Sequence, residues 1–406
     1  MDVDGRALVE RVSALPGGDA LIALGPGTML VGGALRDLLL GADPTELDAT
    51  VGEPGIDAAQ RLAAALTAAG VQGVAVESYP RFLTASVSWP GARVDVAQRR
   101  AESYARPGAL PDVRPGDLAA DLARRDFTIN AIALELAGVS AGELHGAEHA
   151  LDDLRAGLLR VLHDASFTDD PTRALRIARY SARLGFAVEA RTAELLEQAL
   201  AGGALDTVSR PRLGAEIRLM LAEADPLQAL GVAERLGVWA ALGARFDGEL
   251  AAAALVALAG EGRDDALLLG LLFKDAEDPA RALDEMDFGA GERERASAAA
   301  RPEALIAAVA QAQQPSALAR ALAGHPAEQV ASAVALGGPV VAEKVALWRA
   351  ELQPVKLAIG ARDLIDAGVP SGPTIAARLE RVLALRLDGA IPADREAELR
   401  AALESP

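Results

Sequence analysis

A chain of 406 residues that is 51% hydrophobic is too long for one ordinary domain and apolar enough to bury several cores. It contains no cysteine, which excludes disulfides, thiolate zinc sites and cysteine nucleophiles. Its 58 acids outnumber 40 Lys plus Arg, giving a formal charge of −18, so any nucleic-acid contact needs local rather than overall positive potential.

That local charge is almost all arginine, clustered between Arg93 and Arg125 and again between Arg155 and Arg183. A guanidinium fork suits phosphate and base edges, although a GC-rich genome would exchange Lys for Arg without any such purpose. Aromatic residues are only 3%, which favours helices packed through small aliphatic side chains. Met1-Asp2-Val3-Asp4 has no signal-peptide character, and charges interrupt the apolar runs before membrane-spanning length. The expectation is a cytoplasmic protein without a membrane partner.

In chain order, residues 5–15 read as a short amphipathic helix, then Pro16-Gly17-Gly18 as a turn before a second short helical or extended piece. The strand Leu30-Val31 then runs into Gly32-Gly33 and a helix through Ala34-Leu35-Arg36-Asp37. Backbone N–H groups at such a helix start can cradle phosphate, while a plainer reading is a tight turn. Glu46-Leu47-Asp48 comes next. Residues two apart on a strand share a face, so Glu46 and Asp48 would aim two carboxylates at one spot and hold a divalent metal; a solvated strand edge gives the same alternation. A phosphate cradle beside metal carboxylates is equipment for moving a nucleotidyl group. A helix is expected over 56–69, then a hairpin over 82–96 that turns at Pro90-Gly91 and carries Asp95 on its second arm. To about Leu136 this makes an α+β head with a small mixed sheet.

Beyond Leu136 strand signals nearly vanish and apolar residues recur at helical spacing, as in Leu196 and Leu200 or Leu213, Ile217 and Met220. Residues 250–259, all Ala, Leu and Val, read as a buried helix, and Trp239 and Trp348 as core. Pro and Gly breaks suggest successive helical subdomains in an all-α C-terminal region. The expected division is a head over 1–138, a helical neck over 139–225, a helical body over 226–350 and a helical tail over 351–406.

Two further clusters bear chemistry. Arg124-Arg125-Asp126-Phe127-Thr128-Ile129-Asn130-Ala131 places paired arginines before an acid and an amide, a pattern that also locks helix ends. In Asp169-Asp170-Pro171-Thr172-Arg173, Pro171 suits the first position of a helix on which Asp170, Arg173, Arg176 and Arg179 recur every third residue. With the Gly-Gly, Arg36-Asp37 and Glu46-x-Asp48 segment, these motifs resemble the tRNA nucleotidyltransferase and bacterial poly(A) polymerase family, the class II enzymes with a polymerase-beta-like head. The resemblance covers about residues 28–220 and returns weakly from Gly360 to Pro373.

The resemblance implies templateless addition of CCA, or part of it, to the tRNA 3′ end from CTP and ATP, with release of pyrophosphate. It implies two Mg²⁺ ions held mainly by Glu46 and Asp48, with Asp95 the third carboxylate. Gly32, Gly33 and Arg36 would hold the triphosphate together with Arg125, Arg176 and Arg179, and Asp126 and Asn130 would order the ribose side. Asp170 and Arg173 match the pair that selects the incoming base. The chemistry agrees: an Asp accepting from an exocyclic amino group and an Arg donating to a ring nitrogen take cytosine and adenine and reject uracil and guanine. A helix-stabilising ion pair is the plainer alternative. The helical C-terminal half is expected to handle RNA by shape and backbone, as family members grip the acceptor stem and elbow of tRNA, with the 351–406 tail a tRNA contact. Most members carry Asp where this chain has Glu46. The motifs leave open CC addition, A addition, poly(A) synthesis and an inactive RNA-binding homologue, and residues 99–113 read as a mobile loop bearing on that choice. A metal phosphohydrolase built on His163-Asp164 is disfavoured because the chain has only four histidines. Oligomeric state is not legible.

Overall fold

The computed structural model describes residues 4–404. Met1–Val3, on which part of the expectation of a leaderless start rests, lie outside them. The chain divides into two compact units, Met1–Leu242 and Gly243–Pro406.

The first unit contains strands β1 (Met29–Val31), β2 (Leu47–Val51), β3 (Ala75–Tyr79), β4 (Thr84–Trp89), β5 (Ala92–Gln98), β6 (Arg100–Ser103), β7 (Asp112–Pro115), β8 (Ile132–Glu135) and β9 (Leu144–Gly146). Seven form one mixed sheet in the order β3-β4-β5-β2-β1-β8-β9, and β6 pairs with β7 in a separate ribbon. Within the sheet β2 and β5 run parallel, and the other neighbours run antiparallel. A parallel pair needs a long crossover. Here the crossover carries the helix Gly55–Ala68, which lays Ala58, Ala59 and Leu62 against β4 and β5. Buried Leu30, Val87, Val94 and Val96 supply the sheet's own contribution to the core. Four helices matter for the site: α1 (Gly32–Leu39), α2 (Leu118–Ala123), α3 (Arg173–Leu184) and α4 (Arg210–Leu221). Leu213, Ile217 and Met220 are fully buried on α4, as their spacing predicts. Trp239 is buried too and donates its Nε1–H to the Leu230 carbonyl at 2.8 Å.

Three expectations change. Strands do not end at Leu136: β9 lies beyond it, and Leu158–Leu159 pairs in parallel with Ala187–Val188. Segments of two or three residues are too short to display alternation, so only the tertiary pairing reveals them. Residues 99–113 are not one loop, because β6 and β7 take its arms. Pro171 does not occupy the first helical position; α3 begins at Arg173 with Thr172 as its cap.

Among the described residues the second unit is helical. The helix Gly248–Leu258 buries Ala251, Ala254 and Leu258 but leaves Val256 81% exposed, so it is buried on one face only. An Ala-Leu-Val tract is apolar all round and cannot announce which face packs. The helix Ala327–Leu352 is by length and composition apolar enough to cross a membrane, although Glu328, Glu343 and Lys344 interrupt its apolar run as the sequence reading expects. In the fold, Gly338 at φ 74° breaks its course before Pro339, and its Val330, Ala333, Val341 and Val345 close a core with Leu305, Val309, Leu318 and Leu322. Trp348 packs half-buried at the edge of that core. A separate cluster around Leu364, Val382 and Ala402 organises the last three helices.

Candidate active site

The site is built from two surfaces, a sheet floor and a helical wall. On the floor, the register of β2 against β5 places Asp48 directly opposite Asp95. Partners in a parallel pair point the same way from strands about 5 Å apart. Glu46 lies just before β2, exposes 54% of its side chain and stands 3.7 Å from the Arg93 guanidinium. Glu46 thus stands at the rim of the same cavity and its charge acts on Asp48, while Asp95 joins Asp48 from the neighbouring strand. Burial first, then Asp95 and Glu46, push the Asp48 carboxyl up to about 6 against the opposing pull of Arg125 and Arg93.

Gly32 overlooks this floor. Its φ of +66° is a left-handed conformation, and an added Cβ would lie 3.1 Å from Arg125 Nη1 and 3.7 Å from Asp48 Oδ2. The chain can enter α1 here only because the residue has no side chain. No side chain caps the first turn of α1, which keeps its backbone donors for another partner. Gly33 comes next in the same turn.

On the wall, Asp126 is the hub. It accepts from Asn130 Nδ2 at 2.9 Å, from its neighbour Phe127 N at 2.8 Å, and from Arg176 at 2.6 and 3.0 Å. Burial alone would raise its pKa, but Arg176 and the Asn130 hydrogen bond bring it down to about 2. Arg36 is 2% exposed and donates to Asn130 Oδ1 and Asp37 Oδ1, both at 2.8 Å. Its guanidinium is committed to this network, so it acts on the cavity chiefly by orienting Asn130. The Tyr180 ring lies beneath Arg36, Arg176 and Arg179, at 5.2, 6.0 and 4.9 Å from ring centre to guanidinium carbon. Arg179 also meets Glu216 and Glu223.

Asp121 at the start of α2 is fully buried and takes both Arg124 and Arg125, at 2.9 and 3.0 Å. The helix-locking reading of this fragment and the site reading therefore both describe it. Arg125 keeps a buried Nε–H without a partner, as does Arg179. Buried guanidinium donors beside a cavity suit an anion.

Asp170 stands before α3 rather than on it. Its Oδ1 accepts from Thr172 N at 3.2 Å and Thr172 Oγ1 at 2.6 Å, a local turn that delays the helix start. Arg212 of α4 donates Nη2 to the same oxygen at 2.7 Å and Nη1 to the Gly108 carbonyl at 2.9 Å, tying Asp170 to the loop between β6 and β7. Arg173 is 4% exposed and donates to the Arg124 carbonyl at 2.9 Å.

Glu46, Asp48, Asp95, Gly32, Gly33, Arg36, Arg125, Asp126, Asn130, Asp170, Arg173, Arg176 and Arg179 all line one cavity of about 1010 Å³. Sequence reasoning missed Arg93, Tyr180, Arg212 and Glu216. Tyr180 was findable, standing four residues after Arg176 on the same helix. Arg212 and Glu216 carry no local signal because their partners lie on distant segments.

Among the described residues no three His, Asp or Glu side chains converge as a finished metal cage. Mg²⁺ does not require one, since it commonly takes one or two carboxylates and completes its shell with water and substrate phosphate. Asp48 and Asp95 are an oxygen donor set of that size, and their mutual repulsion is what a divalent cation relieves. The residues present fit the ion.

Residues 28–160 match the poly(A) polymerase head domain. Over 218 residues the chain is 41% identical to the A-adding tRNA nucleotidyltransferase of Halalkalibacterium halodurans, covering 52% of this chain and 49% of that protein. Over 236 residues it is 40% identical to the CC-adding tRNA nucleotidyltransferase of Deinococcus radiodurans, covering 57% and 58%. The fold is similar to the solved structure of the Thermotoga maritima CCA-adding enzyme complexed with tRNA, with a TM-score of 0.78, 25% identity, and 99% and 98% of the two chains covered. Residues 28–160 thus carry a poly(A) polymerase head, and about half of the chain is similar in sequence to tRNA nucleotidyltransferases. Its head is accordingly polymerase-beta-like, followed by a helical region. The sequence match spans about half the length of these curated relatives.

Proposed function

We propose that this protein is an enzyme of the tRNA nucleotidyltransferase family that transfers a nucleotidyl group from CTP or ATP to the 3′ end of tRNA and releases pyrophosphate. The observation that carries the reading is the Asp48–Asp95 carboxylate pair facing an arginine wall across one cavity, within a matched nucleotidyltransferase head. In this reading the RNA 3′-hydroxyl attacks the α-phosphate in line with the leaving pyrophosphate. Asp48 and Asp95, with Glu46 at the rim, would hold Mg²⁺. When bound, the ion favours the ionised hydroxyl and neutralises charge on the leaving group. The uncapped start of α1 and the guanidiniums of Arg125 and Arg179 bind the triphosphate. Arg36, Asn130, Asp126 and Arg176 keep that surface rigid, so donors need not reorganise as charge moves.

Base choice is assigned to Asp170 and Arg173. Thr172 and Arg212 both bond to Asp170 Oδ1 and orient the carboxylate, which presents Oδ2 to the amino group of cytosine or adenine. A head over 1–138, a neck over 139–225, a body over 226–350 and a tail over 351–406 is the proposed division, the tail meeting the acceptor stem and elbow of tRNA. The proposed site of action is the cytoplasm, in keeping with a tRNA substrate.

The A-adding and CC-adding relatives are almost equally similar, so the product stays open between A, CC and CCA, and the matched head domain is also that of poly(A) polymerases. The deciding experiment offers tRNA transcripts ending at the discriminator base, C, CC or CCA, with Mg²⁺ and each nucleoside triphosphate alone and combined. Extension that halts at CCA supports the full reading. Use of the CC-ended transcript with ATP alone means an A-adding enzyme, a halt at CC means a CC-adding one, and long A tails mean a poly(A) polymerase. No extension of any transcript overturns the assignment and leaves an RNA-binding homologue.

A further inference from the structure

One cation stands among the acids of the sheet floor. Arg93 precedes Asp95 by two residues on β5, so both side chains leave the same face. Its Nε donates to Asp95 Oδ1 at 2.9 Å and lies 3.7 Å from Glu46 Oε2. Its Nη2 donates to Ser86 Oγ at 2.9 Å, and Ser86 is the β4 residue in register with Asp95. The guanidinium is thus held between the two acids that flank Asp48 and anchored on the side away from Glu46. Its side chain is 48% exposed, and those of Asp95 and Glu46 are 33% and 54% exposed.

We infer that Arg93 is the resident counter-ion of this carboxylate set and competes with a divalent cation for Asp95, so that Arg93 lowers the metal affinity of the site. The inference rests on the reading of Asp48 and Asp95 as metal-holding carboxylates. The competition is direct. An oxygen lone pair that accepts from a guanidinium is not fully available to Mg²⁺, and two cations crowded onto one acid repel each other. The guanidinium stays charged at every working pH, so protonation cannot switch the competition off. It is also reversible, because ion pairs this exposed are weak and Arg93 can swing towards solvent while Ser86 retains one of its nitrogens. Metal loading therefore moves Arg93 off Asp95 rather than adding an ion to an unchanged site. A strained fit of Mg²⁺ to Glu46 is not needed for loading, since the cation replaces a positive charge that Glu46 and Asp95 already share.

The test is metal binding by the full chain without nucleotide or RNA. MgCl₂ and MnCl₂ are titrated separately by calorimetry into the wild type, Arg93→Gln, Arg93→Lys and Asp48→Asn, with circular dichroism to verify folding. Arg93→Gln should tighten binding roughly two- to fivefold, the range expected when a partly exposed competing ion pair is removed. Arg93→Lys, which keeps the charge, should remain near the wild type. Unchanged or weaker binding by Arg93→Gln, with binding still lost in Asp48→Asn, overturns the role of Arg93 alone. Binding that is indifferent to Asp48→Asn overturns the metal assignment beneath it, and the inference with it.

Discussion

The floor and the wall of the cavity treat the same side chain in opposite ways. Asp126, in the wall, is held at about pKa 2 by Arg176 and Asn130, whereas Asp48, on the floor, is raised to about 6 by burial and by its acidic neighbours. Burial acts on both acids in the same direction, so the difference lies in what surrounds them. Asp126, buried and answered by Arg176, belongs to the framework of the wall. Asp48, crowded by other carboxylates, stands where a cation is wanted. The contrast separates Asp126, whose charge the wall satisfies, from Asp48, whose charge its neighbours oppose.

The strongest way to break the contrast is to neutralise the wall. Asp126→Asn leaves Arg176 with the longer Glu216 contact at 3.7 Å, and should destabilise the protein by about 3 kcal/mol, the lower end for a broken buried pair because Arg176 is one-third exposed. Urea melting of wild type and variant measures it. The same network predicts a pH signature. The folded pKa of Asp126 lies below its ordinary value of 3.8, so its stabilisation is complete above about pH 4 to 5 and is lost as pH falls towards 2. The melting-temperature gap between wild type and Asp126→Asn should therefore shrink on acidification, and a constant gap would contradict the network.

Neutralising the floor should do the reverse. Asp48→Asn removes repulsion against Asp95, so thermal stability without metal should hold or rise slightly. Nucleotide addition should nevertheless fall by roughly two to three orders of magnitude, the scale of losing one group that stabilises developing charge. Single-turnover extension beside a melting curve measures both. Loss of stability and activity together would place Asp48 with the framework acids.

A smaller effect is expected at the link between the wall and the loop. Arg212→Ala frees Asp170 from one charged hydrogen bond and should raise KM for CTP or ATP about tenfold, in line with the net worth of such a bond, while KM for tRNA stays unchanged. Equal changes in both constants would point to a general loosening of α4 instead.

Much of this site was legible because its chemistry is concentrated in three short motifs, and every residue proposed from them lines the same cavity. Geometry was less legible. Alternation paired Glu46 with Asp48, but the strand starts one residue later, and only the parallel register shows that Asp95 stands directly opposite Asp48. Pro171 promised a helix start that the Asp170–Thr172 turn postpones.

Residue order alone is enough for the head class, the helical character of the C-terminal region and the identity of the chemistry-bearing side chains. Those properties are written in local periodicity and in three motifs whose order and spacing carry the family resemblance, since each motif alone also reads as a turn, a strand edge or an ion pair. Folding was needed to set Asp48 against Asp95, to stand Arg93 among the acids, and to join Asp170 to Gly108 through Arg212. Strand register and helix packing bring together residues far apart in the chain, and the side-chain electrostatics that distinguish floor from wall exist only once those distances are set.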